Sequence, residues 1–349
     1  MASTALSGAL VVAVAGIIMG SGAWPMKLMR RYQFEHWWFI GMLSGLVIAP
    51  WAVTLAFCPD AIAAYRSVDP AVLVKSNLFA LGWGVANVLC GLCFVRIGFA
   101  LTNALMTGIG VSIGVILPMV VKGSGLFKDA PDIGSSAGTV VLAGVAVMLV
   151  GVVLVSLAGF GRDRQLRKLQ KTSGSFVAGL IMTILAGFLS CGISFAFVYS
   201  QAPIKEAMKA HGAGEIPSIF AVWAVGLLGG ALVNIAYPVY LMFRNKSWGV
   251  LTSSWAELLL ALIIGINFCI STAAMGAGML LLGALGASIG FGIQQAFQMT
   301  GGQAVGFISG EWRGVTGTPR TQMYAAIAVL IIAAVIMAYG NTLVTPAGG

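Results

Sequence analysis

The amino-acid sequence predicts an all-α integral membrane protein with ten transmembrane helices in two inverted five-helix repeats. Three observations lead to this fold class. Of the 349 residues, 59% are hydrophobic and only 8% are charged, whereas soluble domains carry about 25% charged residues. Long apolar segments recur along the whole chain, and short motifs of the first half return in the second half.

Each apolar segment is long enough to span a membrane as a helix. About 20 residues of α-helix cross the roughly 30 Å hydrocarbon core of a bilayer. The opening MASTALSGAL contains no basic residue, so the first segment is predicted to be a retained helix rather than a cleaved secretory signal. The predicted spans cover residues 5–24, 36–57, 76–95, 98–121, 137–159, 175–200, 217–243, 253–275, 278–305 and 321–344.

Basic residues predict the orientation of these helices. Thirteen Lys and Arg residues follow odd-numbered spans, and six follow even-numbered spans, where Asp and Glu accompany them. Because loops rich in Lys and Arg stay in the cytoplasm, both termini are predicted to lie outside. The net charge of +9 is therefore interpreted as a topology signal. No aromatic-studded basic groove suggests nucleic-acid binding.

The longest basic loop separates two similar halves. It defines a first repeat at residues 1–160, a cytoplasmic linker at 161–174 and a second repeat at 175–349. The motif AGIIMGSGA, from Ala15, has a counterpart in AGFLSCGIS, from Ala186. Since five helices per half is an odd number, the second copy must be inverted. Many secondary transporters consist of inverted repeats and bind substrate near the bilayer midplane between them.

Polar side chains inside the apolar segments indicate where a substrate would bind. An amide without a partner in hydrocarbon is costly, so these groups must face protein or a water-filled cavity. One stripe is predicted on the seventh helix, from Trp223 through Gly230 to Asn234. Hydrogen bonding that merely joins helices is the alternative interpretation. The candidate substrate-binding residues are Trp83, Asn87, Asn103, Ser190, Ser194, Trp223, Asn234, Asn267, Gln294, Gln295 and Gln298.

The chemistry of these side chains favours a neutral polyol such as a sugar. Amides and hydroxyls both donate and accept hydrogen bonds, and aromatic faces cover apolar C–H surface. A phosphorylated substrate would call for Arg or Lys at depth. Glu257 is the only acid inside a predicted span. It is a candidate for proton coupling, and its position near the start of the eighth helix also suits an interfacial anchor.

Other kinds of chemistry have weak signals. The five cysteines, including the Cys90 and Cys93 pair, are interpreted as packing thiols, and no metal site is predicted from them and the two histidines. No catalytic cluster is evident, so the protein is predicted not to be an enzyme and to need no cofactor. An integral membrane enzyme and a drug or metabolite exporter are the alternatives.

Six motifs follow one another over nearly the whole chain: the run from Trp24 to Trp51, WGVANVLCGL, VRIG, SCGISFAF, GGALVN ending at Asn234, and Glu311-Trp312 with Pro319. In order and spacing, these motifs resemble the L-rhamnose proton symporter family of the drug/metabolite transporter superfamily. The resemblance implies ten helices in two inverted repeats and import of a deoxy sugar with a proton. The mechanism that we expect for such a carrier is alternating access.

The resemblance also implies a location in the bacterial inner membrane. The eighth and ninth helices depart from the family pattern, because they carry mainly Gly, Ala and three glutamines where rhamnose-type members have more charged, histidine and aromatic side chains. L-rhamnose is the predicted substrate, and related monosaccharides remain alternatives. The predicted partners are thus a small neutral sugar, H⁺ as coupling ion and the lipid bilayer, and the oligomeric state stays open.

Overall fold

The computed structural model describes residues 2–97, 99–120, 132–166, 175–283 and 286–343, and every regular element in these ranges is helical. Short 3₁₀ turns occupy Trp24–Leu28 and Trp248–Thr252, and a π-helical segment occupies Leu43–Ile48. The α-helices are α1 (Ala2–Ser21), α2 (Phe34–Met42), α3 (Ala49–Phe57), α4 (Ala61–Ser67), α5 (Pro70–Ile97), α6 (Phe99–Val120), α7 (Ser136–Gln165), α8 (Phe176–Ser190), α9 (Gly192–Ala210), α10 (Glu215–Gly226), α11 (Leu228–Asn245), α12 (Trp255–Leu282), α13 (Gly286–Ile308) and α14 (Thr318–Thr342).

Most of these helices are long and apolar enough to cross a membrane. α10 and α11 meet at a 55° bend and together form one candidate span. α13 is not among the candidates, because four glutamines lower its mean hydropathy. The other eight candidates are Thr4–Leu28, Phe34–Phe57, Pro70–Cys93, Leu101–Val120, Ser136–Gln165, Phe176–Ala210, Trp255–Leu282 and Thr318–Gly340. The chain is thus an all-helical, multi-pass membrane protein, and the number ten stays a prediction.

The chain folds into two compact units. Unit 1 contains residues 1–20, 89–191 and 278–349, and unit 2 contains residues 21–88 and 192–277. The predicted halves, 1–160 and 175–349, each contribute to both units. Repeats are defined by order along the chain and units by compactness, so the predicted repeats are not tested by this division. The predicted linker begins inside α7, which ends at Gln165, and its residues 167–174 lie outside the described residues.

Unit 1 is held together by glycines that let helices approach closely. α7 packs along α14, where a Cβ on Gly144 would lie 2.5 Å from Met337 Cγ. α6 packs against α7, α8 and α13. α1 meets α13 at Gly16 and Gly20, where a Cβ would overlap main-chain atoms around Gln294 and Gln298. Small residues allow such contacts in membranes, where lipid supplies no hydrophobic force between helices.

Unit 2 is built around α10, which packs against α3 and α9. α11 packs against α2, and α12 crosses the π-helical segment at a contact between Gly45 and Gly265. Outside the spans, the Tyr65 hydroxyl of α4 donates to the Ala221 carbonyl of α10 over 2.8 Å. Burial raises the pKa of Tyr65, so its hydroxyl stays protonated and keeps this bond.

Replacing Gly20 by Ala is expected to lower the thermal stability of the protein. The new Cβ would overlap the carbonyl oxygen of Gln298, and overpacking of this kind costs about 1–3 kcal/mol. The measurement is the unfolding temperature of the purified protein in detergent. Gly91→Ala is the matched control, because no atom lies within 4 Å of a Cβ at Gly91. Equal unfolding temperatures for both variants would show that the α1–α13 contact does not limit stability.

Candidate functional site

The break between α10 and α11 is closed by two side chains of α5. Asn77 Nδ2 donates to the Val225 carbonyl over 3.0 Å, and the Gly229 N–H donates to Asn77 Oδ1 over 2.7 Å. The Ser76 hydroxyl lies 2.9 Å from the Ala196 carbonyl of α9 and 3.2 Å from the Gly226 carbonyl, and its single proton is shared between these two acceptors. The Val225 carbonyl and the Gly229 N–H beside the break are therefore satisfied by protein. Irregular backbone at membrane depth is tolerated only with such partners or beside a water-filled cavity.

The predicted single stripe from Trp223 to Asn234 is wrong in one respect. Trp223 lies on α10 and Asn234 on α11, with Leu227 at the break and a 55° bend between the helices. Glycine, which weakens a helix, occupies positions 226, 229 and 230 around the break. Asn77 offers the backbone there alternative hydrogen bonds. Trp223 and Asn234 therefore face different neighbours.

Asn87 and Asn234 form a pair between α5 and α11. Asn87 Nδ2 donates to Asn234 Oδ1 over 3.1 Å, and Asn234 Nδ2 donates to the Gly230 carbonyl over 2.9 Å. Asn234 is fully buried and Asn87 is half-buried. The pair was predicted as part of the site, and the structure of unit 2 brings these two residues together.

Aromatic rings line the same unit. Trp83 of α5 lies 5.9 Å from Phe268 of α12, centroid to centroid, with the rings tilted by 31°. Trp223 stacks on Phe197 of α9, with centroids 4.6 Å apart and planes at 18°. Two further predicted residues belong to unit 2. Ser194 is buried on α9, and Asn267 is half-buried on α12, beside Phe268 in sequence.

The remaining predicted substrate residues lie in unit 1. Gln294 Nε2 donates to Gln298 Oε1 over 3.1 Å, one helical turn further along α13, and Gln294 is buried. Gln295 is half-buried on the same helix. Ser190 ends α8 and donates to the Gly187 carbonyl of its own helix over 2.7 Å. Asn103 is half-buried on α6.

The candidate residues thus form two groups, one within each unit. Unit 2 holds Trp83, Asn87, Ser194, Trp223, Asn234 and Asn267. Unit 1 holds Asn103, Ser190, Gln294, Gln295 and Gln298. Their convergence on one pocket stays a prediction.

Glu257 binds the chain that follows the first 3₁₀ turn. Its carboxylate accepts hydrogen bonds from the N–H groups of Arg30 at 3.0 Å, Arg31 at 3.1 Å and Tyr32 at 2.7 Å. The residue is buried, with 7% of its surface exposed. Three N–H donors stabilise the ionised form of a carboxylate. This geometry favours the anchor among the two roles that the sequence left open.

Beside this anchor lies a buried acid that the sequence reasoning missed. Glu35 is 6% exposed, and its Oε1 accepts from Asn245 Nδ2 at 3.0 Å and from the Ser247 hydroxyl at 3.2 Å. The adjacent His36 accepts from the Gln33 N–H at Nδ1, and its Nε2 lies 3.0 Å from the Ser247 carbonyl. The imidazole therefore carries its proton on Nε2. Glu35 lies one residue before the predicted second span, so it did not count as an acid inside a span.

The cysteine thiols give no sign of a disulfide or a metal site in the described residues. All five cysteines are free, and Cys93 Sγ lies 3.5 Å from the Gly179 carbonyl. Among the described residues, no group of three or more His, Cys, Asp or Glu side chains is placed to hold a metal ion.

The family model for the L-rhamnose-proton symport protein (RhaT) matches residues 4–343. The chain belongs to this family. The resemblance predicted from the motifs is therefore confirmed, while membership of the wider drug/metabolite transporter superfamily stays a prediction. The family consists of symporters, so the chain is a transporter and not an enzyme.

Curated relatives in this family match over most of their length. An L-rhamnose-proton symporter of Cronobacter sakazakii is 27% identical over 323 residues, which cover 90% of this chain and 92% of the relative. Symporters of the same name from Pectobacterium atrosepticum and Yersinia pestis are 28% and 27% identical over 324 residues, again covering 90% of this chain and 92% of each relative.

Replacing Asn77 by Leu is expected to destabilise the protein strongly. The Val225 carbonyl and the Gly229 N–H would both lose a partner, at about 1–3 kcal/mol for each buried group. Ser76→Ala removes one donor and should cost less. The measurement is thermal unfolding of the purified variants.

Ser156→Ala is the control for this series. Its hydroxyl bonds back to the Val152 carbonyl of its own helix over 2.9 Å, so its loss leaves no break in the helical backbone. If Asn77→Leu unfolds at the same temperature as Ser156→Ala, the break does not depend on Asn77.

Proposed function

We propose that this protein imports L-rhamnose, or a closely related neutral deoxy sugar, together with a proton by alternating access. Membership of a family of L-rhamnose-proton symporters carries this proposal. The side chains inside the membrane helices are consistent with it. Asn87, Asn234, Gln294 and Gln298 are neutral groups that both donate and accept, and Trp83 and Trp223 offer faces for C–H surface. No cofactor is proposed.

Ten spans in two repeats are part of the proposal. α13 has 23 residues, which extend over about 34 Å at 1.5 Å per residue. It is long enough to cross the bilayer if its glutamines face protein or water. With the bent pair α10–α11 and the eight other candidates, it completes five spans in each predicted half.

The order of the units along the chain is the same in the two predicted halves. In each half the chain runs from unit 1 into unit 2 and back into unit 1. The match of Ala15 with Ala186 aligns Gly20 with Cys191, and the chain leaves unit 1 after each of these two residues. The first change of unit therefore falls at the same place in both halves.

Matched helices also make matched contacts. Gly16 of α1 and Gly187 of α8 occupy the same position in the two motifs. Gly16 packs on α13, the fourth span of the second half, and Gly187 packs on Ile109 of α6, the fourth span of the first half. Within unit 2, α5 contacts the broken α10–α11 span, and α12 contacts the span with the π-helical segment. These are third-to-second contacts between opposite halves, which a two-fold relation between the two repeats would produce.

The membrane setting follows from the loops. Because basic residues concentrate at and after the ends of odd-numbered spans, we place Arg30, Arg162 and Arg244 on the cytoplasmic side and both termini outside. For a proton-coupled importer, this membrane is the bacterial inner membrane.

Uptake of labelled L-rhamnose into proteoliposomes is the decisive experiment for the function. An imposed inward proton gradient is expected to drive accumulation above equilibrium, and a protonophore should abolish it. A panel of other monosaccharides tests the identity of the sugar. If no sugar accumulates and a cationic drug is expelled instead, the exporter alternative replaces this proposal.

Glu35 is the better of two candidates for the proton site. A protonated carboxyl group must donate a hydrogen bond, and the hydroxyl of Ser247 can accept one. The N–H groups that surround Glu257 can only donate, so they suit the ionised form alone. We therefore propose Glu35 as the coupling group and Glu257, the candidate from the sequence, as an anchor.

Glu35→Gln is expected to lose gradient-driven accumulation and to keep counterflow exchange of sugar, because exchange needs no net proton movement. Glu257→Gln is expected to lower the unfolding temperature and to reduce accumulation and exchange together, since its amide would place an N–H₂ against backbone donors. Both variants are measured in the same proteoliposome assay. The opposite result, with exchange alone preserved in Glu257→Gln, would return the proton site to Glu257.

A further inference from the structure

Two buried polar atoms without hydrogen-bond partners lie on neighbouring helices of unit 2. Among the described residues, four such side-chain atoms occur: Gln201 Oε1, Trp223 Nε1, Ser253 Oγ and Trp312 Nε1. Gln201 belongs to α9 and Trp223 to α10, and these two helices pack against each other. One atom is an acceptor and the other is a donor. A buried polar group left without a partner costs free energy, so each such atom calls for an explanation.

Phe197 links the two residues. Its ring stacks on Trp223 with centroids 4.6 Å apart, and it precedes Gln201 by four residues on α9. Side chains four apart lie on the same helix face, so the Gln201 amide extends from the face that meets the indole. Trp223 is only 2% exposed. The orphan donor thus belongs to the aromatic stack, and the orphan acceptor belongs to a residue one helical turn further along the same face of α9.

Gly276 of α12 packs against the edge of the indole. A Cβ at this position would lie 3.0 Å from Trp223 Nε1 and 2.7 Å from two ring carbons of Phe197. Any other residue would put a side chain against the N–H group. At position 276, α12 therefore comes close to the indole N–H without placing a side chain of its own against it.

We propose that Trp223 Nε1 and Gln201 Oε1 form a subsite for one hydroxyl group of a neutral polyol substrate. Such a hydroxyl accepts a hydrogen bond from the indole N–H and donates one to the amide oxygen, which satisfies both orphan atoms at once. The aromatic faces of the stack suit the C–H surface beside that hydroxyl. This inference rests on the proposed sugar transport and adds Gln201, which the sequence did not single out.

Trp312 is a second buried indole with an unpartnered N–H, and it serves as a comparison for Trp223. Its indole N–H is also buried without a partner, and its ring stacks on Phe307 with centroids 5.0 Å apart. Arg162 lies over this ring at 5.4 Å from the centroid, beside the ion pair with Glu311. No orphan acceptor is found with it among the described residues. Trp312 therefore provides a matched control for the loss of an indole N–H.

The test is equilibrium binding of sugars to the purified, full-length protein by titration calorimetry. Trp223→Phe keeps the stack and removes the donor, and Gln201→Leu keeps the volume and removes the acceptor. Each is expected to weaken L-rhamnose binding about tenfold, as loss of one buried hydrogen bond would. The double variant should be scarcely weaker than either single one, because both atoms bind the same hydroxyl. Trp312→Phe should bind like wild type.

Deoxy analogues separate this subsite from a structural role. Wild type is expected to lose affinity for one of the 2-, 3- and 4-deoxy derivatives of L-rhamnose, and that loss should vanish in Trp223→Phe and Gln201→Leu. Wild-type affinity in both variants would overturn the subsite, since water would then satisfy the two atoms. Equal weakening for every analogue would overturn it too, because it would indicate altered packing.

Failure of the proposed function gives a different result. If wild type binds another neutral polyol of a sugar panel but not L-rhamnose, the choice of substrate is wrong, and weakening of that polyol by the same two variants still supports the subsite. If wild type binds no polyol at all, both the function and the subsite are refuted.

Discussion

The requirement that every main-chain polar group find a partner inside an apolar medium shapes the centre of unit 2. An intact helix meets this requirement by itself, and a broken one does not. Between α10 and α11 the regular bonding stops, and Asn77 supplies a donor for Val225 and an acceptor for Gly229. A single amide can do this because it offers both functions in one plane. Asn77 thus bonds to the main chain on both sides of the 55° bend.

The bend then decides which candidate side chains meet. It directs Trp223 toward Phe197 of α9 and leaves Asn234 facing Asn87 of α5. α5 therefore carries Asn77, which bonds to the break, and further along the helix Asn87, which bonds to Asn234. Discontinuous helices of this kind contribute to substrate sites in many secondary transporters.

The two buried carboxylates, Glu257 and Glu35, have different kinds of hydrogen-bond partner. Glu257 is surrounded by backbone N–H groups of Arg30, Arg31 and Tyr32, which stabilise negative charge and hold the chain after the first 3₁₀ turn. Glu35 meets the amide of Asn245 and the hydroxyl of Ser247. Side-chain partners of this sort can reorient when a proton arrives, and a backbone cannot. Depth in the membrane alone therefore does not identify a proton site; the type of hydrogen-bond partner is needed as well.

The sequence by itself determined the membrane class, the approximate extent of most spans and the family. These properties are local or additive, because hydropathy and residue type are read over a window of neighbouring positions. Only the tertiary structure decided that Trp223 and Asn234 lie on separate helices, that Asn77 closes the break, that Glu257 binds three N–H groups and that Glu35 is buried. Each of these depends on partners far along the chain, 147 residues apart for Asn87 and Asn234. A sequence pattern shows that an amide in a membrane helix must find a partner, and only the packing of helices shows which partner it finds.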